Sequence, residues 1–441
     1  MQEQFETHIK KQLSFLTNSK LLVAVSGGVD SIVLAHLCKQ LHLNIGIAHC
    51  NFKLRGTASD EDAKFVSDFA KKLRIPFHEI DFDTEKYSKE EKLSIQMAAR
   101  KLRYQWFNEL VALHDYQYII TAHHLDDSLE TFLINFLRGT GLQGLTGIPE
   151  QNNNIVRPLL PFKRDDIEQY AKAHEIAWRE DASNAETKYL RNNLRLEVIP
   201  KLKDLNPELY TSFSKTISHL QASQKIVNQT VSKLANEVIS LEGNGVKKIN
   251  IERLKENDLS EVYLFELLKP FGFTAWEDIK DLMYAQSGKQ IHSESHRLIK
   301  DRAYLLLERK FSKTKNEELY HIFQRTTQLE VPIHLEFETT TSFDFNDDNK
   351  VFLDKDVLKF PLQLRKWKKG DYFYPLGMMG KKKLSKFFKD EKMSILDKEV
   401  QWLLCSDDRI VWVIGKRLDN RFRITEQSEN ILKITHKPKH K

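Results

Sequence analysis

Between an apolar run at 21–25 and a helix-patterned stretch at 31–41, the chain carries Ser26, Gly27, Gly28, Val29, Asp30 and Ser31 in succession. A strand that turns through two glycines straight into a helix constrains the fold more than any other segment here. Gly27 and Gly28 permit positive φ and bring no side chains, so backbone N–H groups can converge on one anion. The N-terminus of the helix that follows adds partial positive charge, and Ser26 and Ser31 add hydroxyls. Asp30 repels a bare phosphate, so it is expected to meet one through Mg²⁺. The spacing is not G-x-x-x-x-G-K-[ST], and no lysine is placed to draw charge from a terminal phosphate. The simpler alternative is a turn that needs glycine only for its geometry.

Around this loop, short apolar runs alternate with longer helical patterns. Strands are expected at 21–25, 44–49, 77–82 and 117–122, and helices at 31–41, 59–73, 95–114 and about 126–138. Ser59 reads as the N-cap of the second helix, with Asp62 three residues on. This spacing predicts βαβ units and an α/β fold with a parallel, doubly wound sheet covered on both faces. Ligands in such sheets sit at the carboxyl ends of the strands. Further helices are expected at 164–174 and at 190–202, the latter broken at Pro200, with a loop at 150–154. After Asn206-Pro207 the pattern changes to long helical periodicity without glycine, and from about Val351 to β-rich segments between glycine turns. Three domains are expected: a catalytic domain at 1–210, a helix-rich middle domain at 211–345 that includes a linker from 311, and a small basic β-rich domain at 346–441.

Composition narrows the class. With 41% hydrophobic and 29% charged residues the chain can build real cores. No apolar run approaches the roughly 18–20 residues that span a bilayer. The polar, mixed-charge start MQEQFETHIKKQ is unlike a signal peptide, so a cytoplasmic protein is expected. Cys38, Cys50 and Cys405 are scattered and form no disulfide framework or C-x-x-C pair. A net charge of +6 permits a polyanionic partner without requiring one.

A second constellation begins where the fourth expected strand ends. In TAHHLDDSLETFLINFLRGTGLQGL, 121–145, the spacing puts Asp126, Asp127 and Glu130 near one another at a helix start. Ordinary capping explains such acids, and so does a site for Mg²⁺ or an ammonium group. His123 and His124 lack a third ligand with the spacing zinc needs. Residues 139–144 fit G-x-G-x-x-G but follow a helix rather than a strand, so they do not read as a dinucleotide site. Near the C-terminus, 365–392 is rich in lysine, including Lys368, Lys369, Lys381, Lys382 and Lys383. It is interleaved with Trp367, Tyr372, Phe373, Tyr374, Phe387 and Phe388, and a second basic group, Lys416, Arg417, Arg421 and Arg423, follows. Lysines contact phosphates and rings stack on unpaired bases, unless the rings simply fill a small β core.

The loop Ser26–Ser31 resembles the pyrophosphate loop of the N-type ATP pyrophosphatases, which transfer AMP to a carbonyl or carboxyl oxygen. Within that superfamily the chain is most similar to the tRNA(Ile)-lysidine synthetase family. The signature HHxDDxxET…RGxGxxGLxGI falls on His123, His124, Asp126, Asp127, Glu130, Thr131, Arg138, Gly139, Gly141, Gly144, Leu145, Gly147 and Ile148. AHCNFKLRG at 48–56, ARKLRY at 99–104, RPLL at 157–160, EDASN at 180–184 and RNNLRLEVIP at 191–200 follow in the family's order. The 365–392 segment resembles the family's WxxGD…PLGMxGxKKLSxFF pattern. Phe52 departs from it, standing where the family's HxNHxLRG has its second histidine.

The resemblance implies ATP and L-lysine as co-substrates, Mg²⁺ as cofactor, and isoleucine tRNA with a CAU anticodon as the molecule modified. The cytosine 2-carbonyl oxygen attacks the α-phosphate of ATP, and the lysine side-chain amine then displaces AMP, so the enzyme is a ligase forming a C–N bond. It implies an ATP site at Ser26, Gly27, Gly28, Val29, Asp30 and Ser31 with the metal on Asp30. Catalytic roles fall to Asp30, Asp127, Glu130 and Arg103, and a site for lysine or the rest of the substrate to Asp126, Asp127, Glu130 and Arg195, with Arg103 and Arg195 as candidates for contacting phosphates or closing over the adenylate. The C-terminal lysines become tRNA contacts, and a homodimer is allowed because the family includes dimers. One rival is a thiolase of the same superfamily, which needs a reactive cysteine pair or an iron–sulfur site. Another is an RNA-binding protein that holds ATP without turning it over.

Overall fold

The computed structural model describes residues 1–179, 190–242, 245–310, 319–341, 347, 349–378 and 380–437. It divides into two compact units, Met1–Asn228 and Gln229–Lys441, and the dividing point lies inside one helix, Leu209–Val238. That helix also runs across the domain boundary expected at 210.

In the first unit the elements follow the order α1 (Gln2–Gln12), β1 (Lys20–Ala24), α2 (Val29–Gln40), β2 (Asn44–Asn51), α3 (Thr57–Leu73) and β3 (Phe77–Asp81). Then come α4 (Thr84–Glu91), α5 (Ile95–His114), β4 (Tyr118–Ile120), α6 (Leu125–Leu137), β5 (Gln151–Asn152), β6 (Ile155–Val156) and α7 (Arg164–Ala173). The sheet order is β3-β2-β1-β4-β6-β5, parallel except for the β5–β6 edge pair. Strand β1 shows why its sequence is apolar from Leu21 onward. Leu21 and Val23 pack with α1, α2 and α7, and Leu22 packs against Trp106, Phe107 and Leu110 of α5 on the other side. A strand buried on both faces loses the polar alternation of a half-buried one. Gly46 in β2 is required by close approach, since a Cβ there would lie 1.9 Å from the Tyr116 hydroxyl.

Three details differ from the sequence expectation. Helix α3 starts at Thr57 behind Gly56, and Ser59 accepts a hydrogen bond from Arg55 N at 3.1 Å instead of capping the helix. The loop expected at 150–154 includes β5, which pairs with β6 just beyond it in a hairpin. Pro200 does not break a helix: a π-turn at Leu194–Val198 leads into α9 (Ile199–Leu205), after α8 (Leu190–Asn193), and Pro200 sits in the first turn of α9, where its missing N–H costs nothing.

The second unit holds a five-stranded antiparallel sheet between Ile239 and Arg309. It shares a core with the helices Ile251–Lys255, Ser260–Leu268 and Trp276–Leu282. Two further sheets, of five and four strands, share a core built on Leu335, Leu353, Leu362, Leu404, Trp412 and Ile434. Residues 320–340, which composition places in the middle domain, belong to these sheets: Tyr320 pairs with Leu364 and His334 with Lys437. Among the described residues no helix is long and apolar enough to cross a membrane.

Candidate active site

Strand order reverses at β1, whose neighbours are β2 and β4. A cleft of about 280 Å³ opens at the carboxyl ends of these strands. One wall is the glycine loop. Gly27 adopts φ +97°, and Gly28 is the N-cap of α2. Ser31 Oγ accepts from Ser26 N at 3.1 Å and donates to Gly28 O at 2.9 Å, which folds the loop over its own helix start. Ser26, Gly28, Asp30 and Ser31 line the cleft, and the first N–H groups of α2 have no partner within the helix. His49, from the β2 motif, is buried and bonded to Val25 O at 2.8 Å, which fixes the loop's entry.

The opposite wall comes from α5, which contributes Arg100, Arg103 and Tyr104, and from the β4–α6 segment, which contributes Thr121, His123 and Asp127. Arg103 lies 5.2 Å over the ring of Phe52, so the residue that departs from the family histidine serves as a cation–π platform for a cleft arginine.

The three carboxylates that look equivalent in sequence have different partners. Asp127 faces the cleft, accepts from His124 N at 3.1 Å and meets Arg191 Nη2 at 3.2 Å. Asp126 turns away from the cleft, accepting from Arg164 N at 2.9 Å and from the Tyr210 hydroxyl. Glu130 is fully buried between two guanidiniums, with Arg191 Nε at 2.6 Å and Arg195 Nε at 2.6 Å. Asp126 and Glu130, expected to touch lysine or metal, here contact neighbouring groups, and Asp127 is the one of the three that lines the cleft, together with Asp30. Arg195, expected at the substrate, is fastened to Glu130, while Arg191 lines the cleft.

His124 sits among Asp30, Asp126 and Asp127, at 3.7, 3.5 and 3.4 Å. Burial acts to lower its pKa, but the carboxylates of Asp126, Asp127 and Asp30 close around it hold the imidazole above its usual range. Burial pushes Asp30 up, against the pull of His124 and Arg164. Asp127 goes the other way: against burial, His124 and Arg191 hold it below the usual carboxylate range. Burial takes His123 down to about 4, so it is neutral near pH 7.

Asp30 Oδ1 is buried with no hydrogen-bond partner among the described residues. An unsatisfied buried carboxylate oxygen beside a phosphate loop suits a cation. No group of three or more His, Cys, Asp and Glu side chains among the described residues is arranged to hold a metal. Mg²⁺ needs only one or two carboxylates, because phosphates and water complete its shell.

Sequence reasoning missed Arg191, Arg100, Arg164 and Tyr210. Arg191 and Arg100 stood inside quoted motifs, and only the fold shows that Arg100 joins Arg103 at the cleft and that Arg191 lines it rather than Arg195. The segment 180–184 lies outside the described residues. In the second unit, Lys368, Lys369, Lys381 and Lys383 are exposed, while Lys382 pairs with Asp390 at 2.8 Å. Phe373, Phe387 and Phe388 are core residues rather than stacking surfaces. Tyr372 is exposed, with Lys381 over its ring, and Tyr374 carries Arg421 at 4.5 Å.

A parallel sheet with a glycine loop at its switch point, backed by a half-buried aspartate, is the architecture of the PP-loop nucleotide-using enzymes, and residues 1–202 match the PP-loop domain family. Residues 242–310 match the TilS substrate binding domain and 362–434 the TilS substrate C-terminal domain. The tRNA(Ile)-lysidine synthase of Parabacteroides distasonis is 40% identical over 432 residues, covering 96% of this chain and 97% of the relative. That of Bacteroides thetaiotaomicron is 38% identical over 434 residues, covering 98% and 99%. The chain belongs to the tRNA(Ile)-lysidine synthase family.

Proposed function

We propose that this chain adenylates the wobble cytidine of the CAU-anticodon isoleucine tRNA with ATP and then joins the side-chain amine of L-lysine to it, releasing pyrophosphate and AMP. The observation that carries this reading is the convergence, in one cleft, of the glycine loop, Asp30, Asp127, Arg103 and Arg191. The loop amides and the α2 N-terminus stabilise charge on the departing pyrophosphate. Mg²⁺, when bound at Asp30, neutralises charge between that carboxylate and the phosphates. Arg100 and Arg103 bring positive charge to the cleft mouth. Asp127, ionised at neutral pH, attracts the lysine ammonium and takes a proton from the nitrogen as the amine attacks. Glu130 and Asp126 are positioning residues, the first for Arg191 and Arg195, the second for His124 and the start of α7.

Lys368, Lys369, Lys381 and Lys383 supply phosphate contacts to the tRNA, and Tyr372 an exposed ring for an unpaired base. The reaction belongs in the cytoplasm, where its tRNA is found. The test incubates the full chain with isoleucine tRNA, ATP, Mg²⁺ and lysine. A tRNA heavier by one lysine less water, with AMP and pyrophosphate formed in step, is expected. ADP as product, or unchanged tRNA, overturns the proposal.

A further inference from the structure

The carbonyl of Gly27 is held from outside the loop. Arg179 N donates to Gly27 O at 3.0 Å. The Arg179 side chain is itself anchored twice, by Nε on Asp62 at 2.8 Å and by Nη2 on Glu61 at 2.8 Å. Both acids lie in α3, the helix that also walls the loop: a Cβ on Gly27 would meet Val66 at 3.5 Å and Phe65 at 3.9 Å. Across a trans peptide, the C=O of one residue and the N–H of the next point to opposite sides. Fixing the Gly27 carbonyl on Arg179 therefore turns the Gly28 N–H away from Arg179, towards the cleft that Ser26 and Gly28 line. The φ of +97° at Gly27 belongs to this arrangement.

We infer that Arg179 is a positioning residue for the phosphate loop: α3 grips its side chain so that its backbone N–H sets the peptide whose amide meets pyrophosphate. This rests on the reading of the loop as the pyrophosphate site. The acid pair of that grip is visible only in the fold, because Arg179 lies 117 and 118 residues from its partners.

The test titrates the full chain with inorganic pyrophosphate and Mg²⁺ by calorimetry, and measures KM for ATP, lysine and tRNA, in the wild type, Arg179→Ala, Arg179→Lys and Glu61→Gln. Arg179→Ala is expected to weaken pyrophosphate binding and raise the ATP KM by about 3- to 10-fold, the scale of two part-exposed ion pairs. Glu61→Gln, which removes one arm, and Arg179→Lys, which keeps the charge but loses the fork, should fall between it and the wild type. KM for lysine and tRNA should stay within about twofold in every variant, with melting temperatures close to wild type. Wild-type pyrophosphate affinity in Arg179→Ala overturns the inference, as does an equal rise in all three KM values with a lowered melting temperature. A wild type that binds no pyrophosphate overturns the phosphate-loop reading itself and the inference with it.

Discussion

Replacing Glu130 by glutamine should destabilise the first unit and cripple turnover without acting on lysine binding in particular. The Glu130 side chain is 0% exposed and receives Arg191 and Arg195, which are 42% and 27% exposed. Removing one partner of a buried ion pair costs about 3–5 kcal/mol. Both guanidiniums keep contact with water, which screens the loss, so we expect about 2–3 kcal/mol. For a unit of this size, about 2–4 °C of melting temperature accompany each kcal/mol, which gives a fall of roughly 4–12 °C. The chain has two units, so the shift should appear in the transition of Met1–Asn228, followed by circular dichroism or calorimetry. Turnover should drop as well, because Arg191 lines the cleft and loses its 2.6 Å anchor. The informative contrast is with direct contact to substrate. A Glu130→Gln protein that melts with the wild type and shows only a raised KM for lysine would refute the anchoring role and return Glu130 to the lysine site.

Other outcomes follow from single contacts. Gly27→Ala has room for its methyl, with the nearest side-chain atom 3.5 Å away, so its cost is the left-handed backbone alone, about 1–2 kcal/mol; ATP affinity should fall about 5- to 30-fold at little change in fold, and unaltered affinity would argue against a required positive φ. Tyr372→Ala should raise the tRNA KM by about 5-fold or more, since base stacking on an aromatic ring contributes about 1–3 kcal/mol; Tyr372→Trp should restore it, and equal losses in both variants would exclude stacking. Burial pushes the thiols of Cys38 and Cys50 up to about 12 and that of Cys405 up to about 11, so iodoacetamide at pH 8 should label the native chain slowly. Rapid labelling of Cys50 would reopen sulfur-transfer chemistry.

The parts of this molecule legible in its sequence are those whose partners lie close along the chain. Helix α5 ends where its pattern ends, at Ile95 and His114, because Ser94 caps it through Met97 N at 3.3 Å and the apolar stripe is dense. Helix α1 was invisible as an element: its inward face is only Phe5 and Ile9, continued by Leu13, all buried in an otherwise polar stretch. The strands at 320–340 read as a linker because what makes them strands arrives late, in the pairing of His334–Thr340 with Ile431–Lys437. Only half of their residues need be apolar, and Leu335 and Phe337 alone carry that signal among charged neighbours.

The same separation of partners governs the site. Local spacing brings Asp126, Asp127 and Glu130 together and cannot tell them apart, since each is an acid in or near the first turn of one helix. Their roles divide through contacts made 38 to 84 residues away: Arg164 and Tyr210 draw Asp126 out of the cleft, and Arg191 and Arg195 enclose Glu130. A carboxylate buried with its charge matched is a fixed post, whereas one that faces a cleft can exchange partners during a reaction. Asp127 is the one of the three that combines an ionised state with a position on the cleft wall. Arg191 and Arg195 lie four residues apart, so one helical face presents both guanidiniums to the same buried carboxylate. The proposed chemistry at this cleft thus draws on the segment at 191–195 as well as on the glycine loop, with Glu130 held against two arginines and Asp126 beside the histidine.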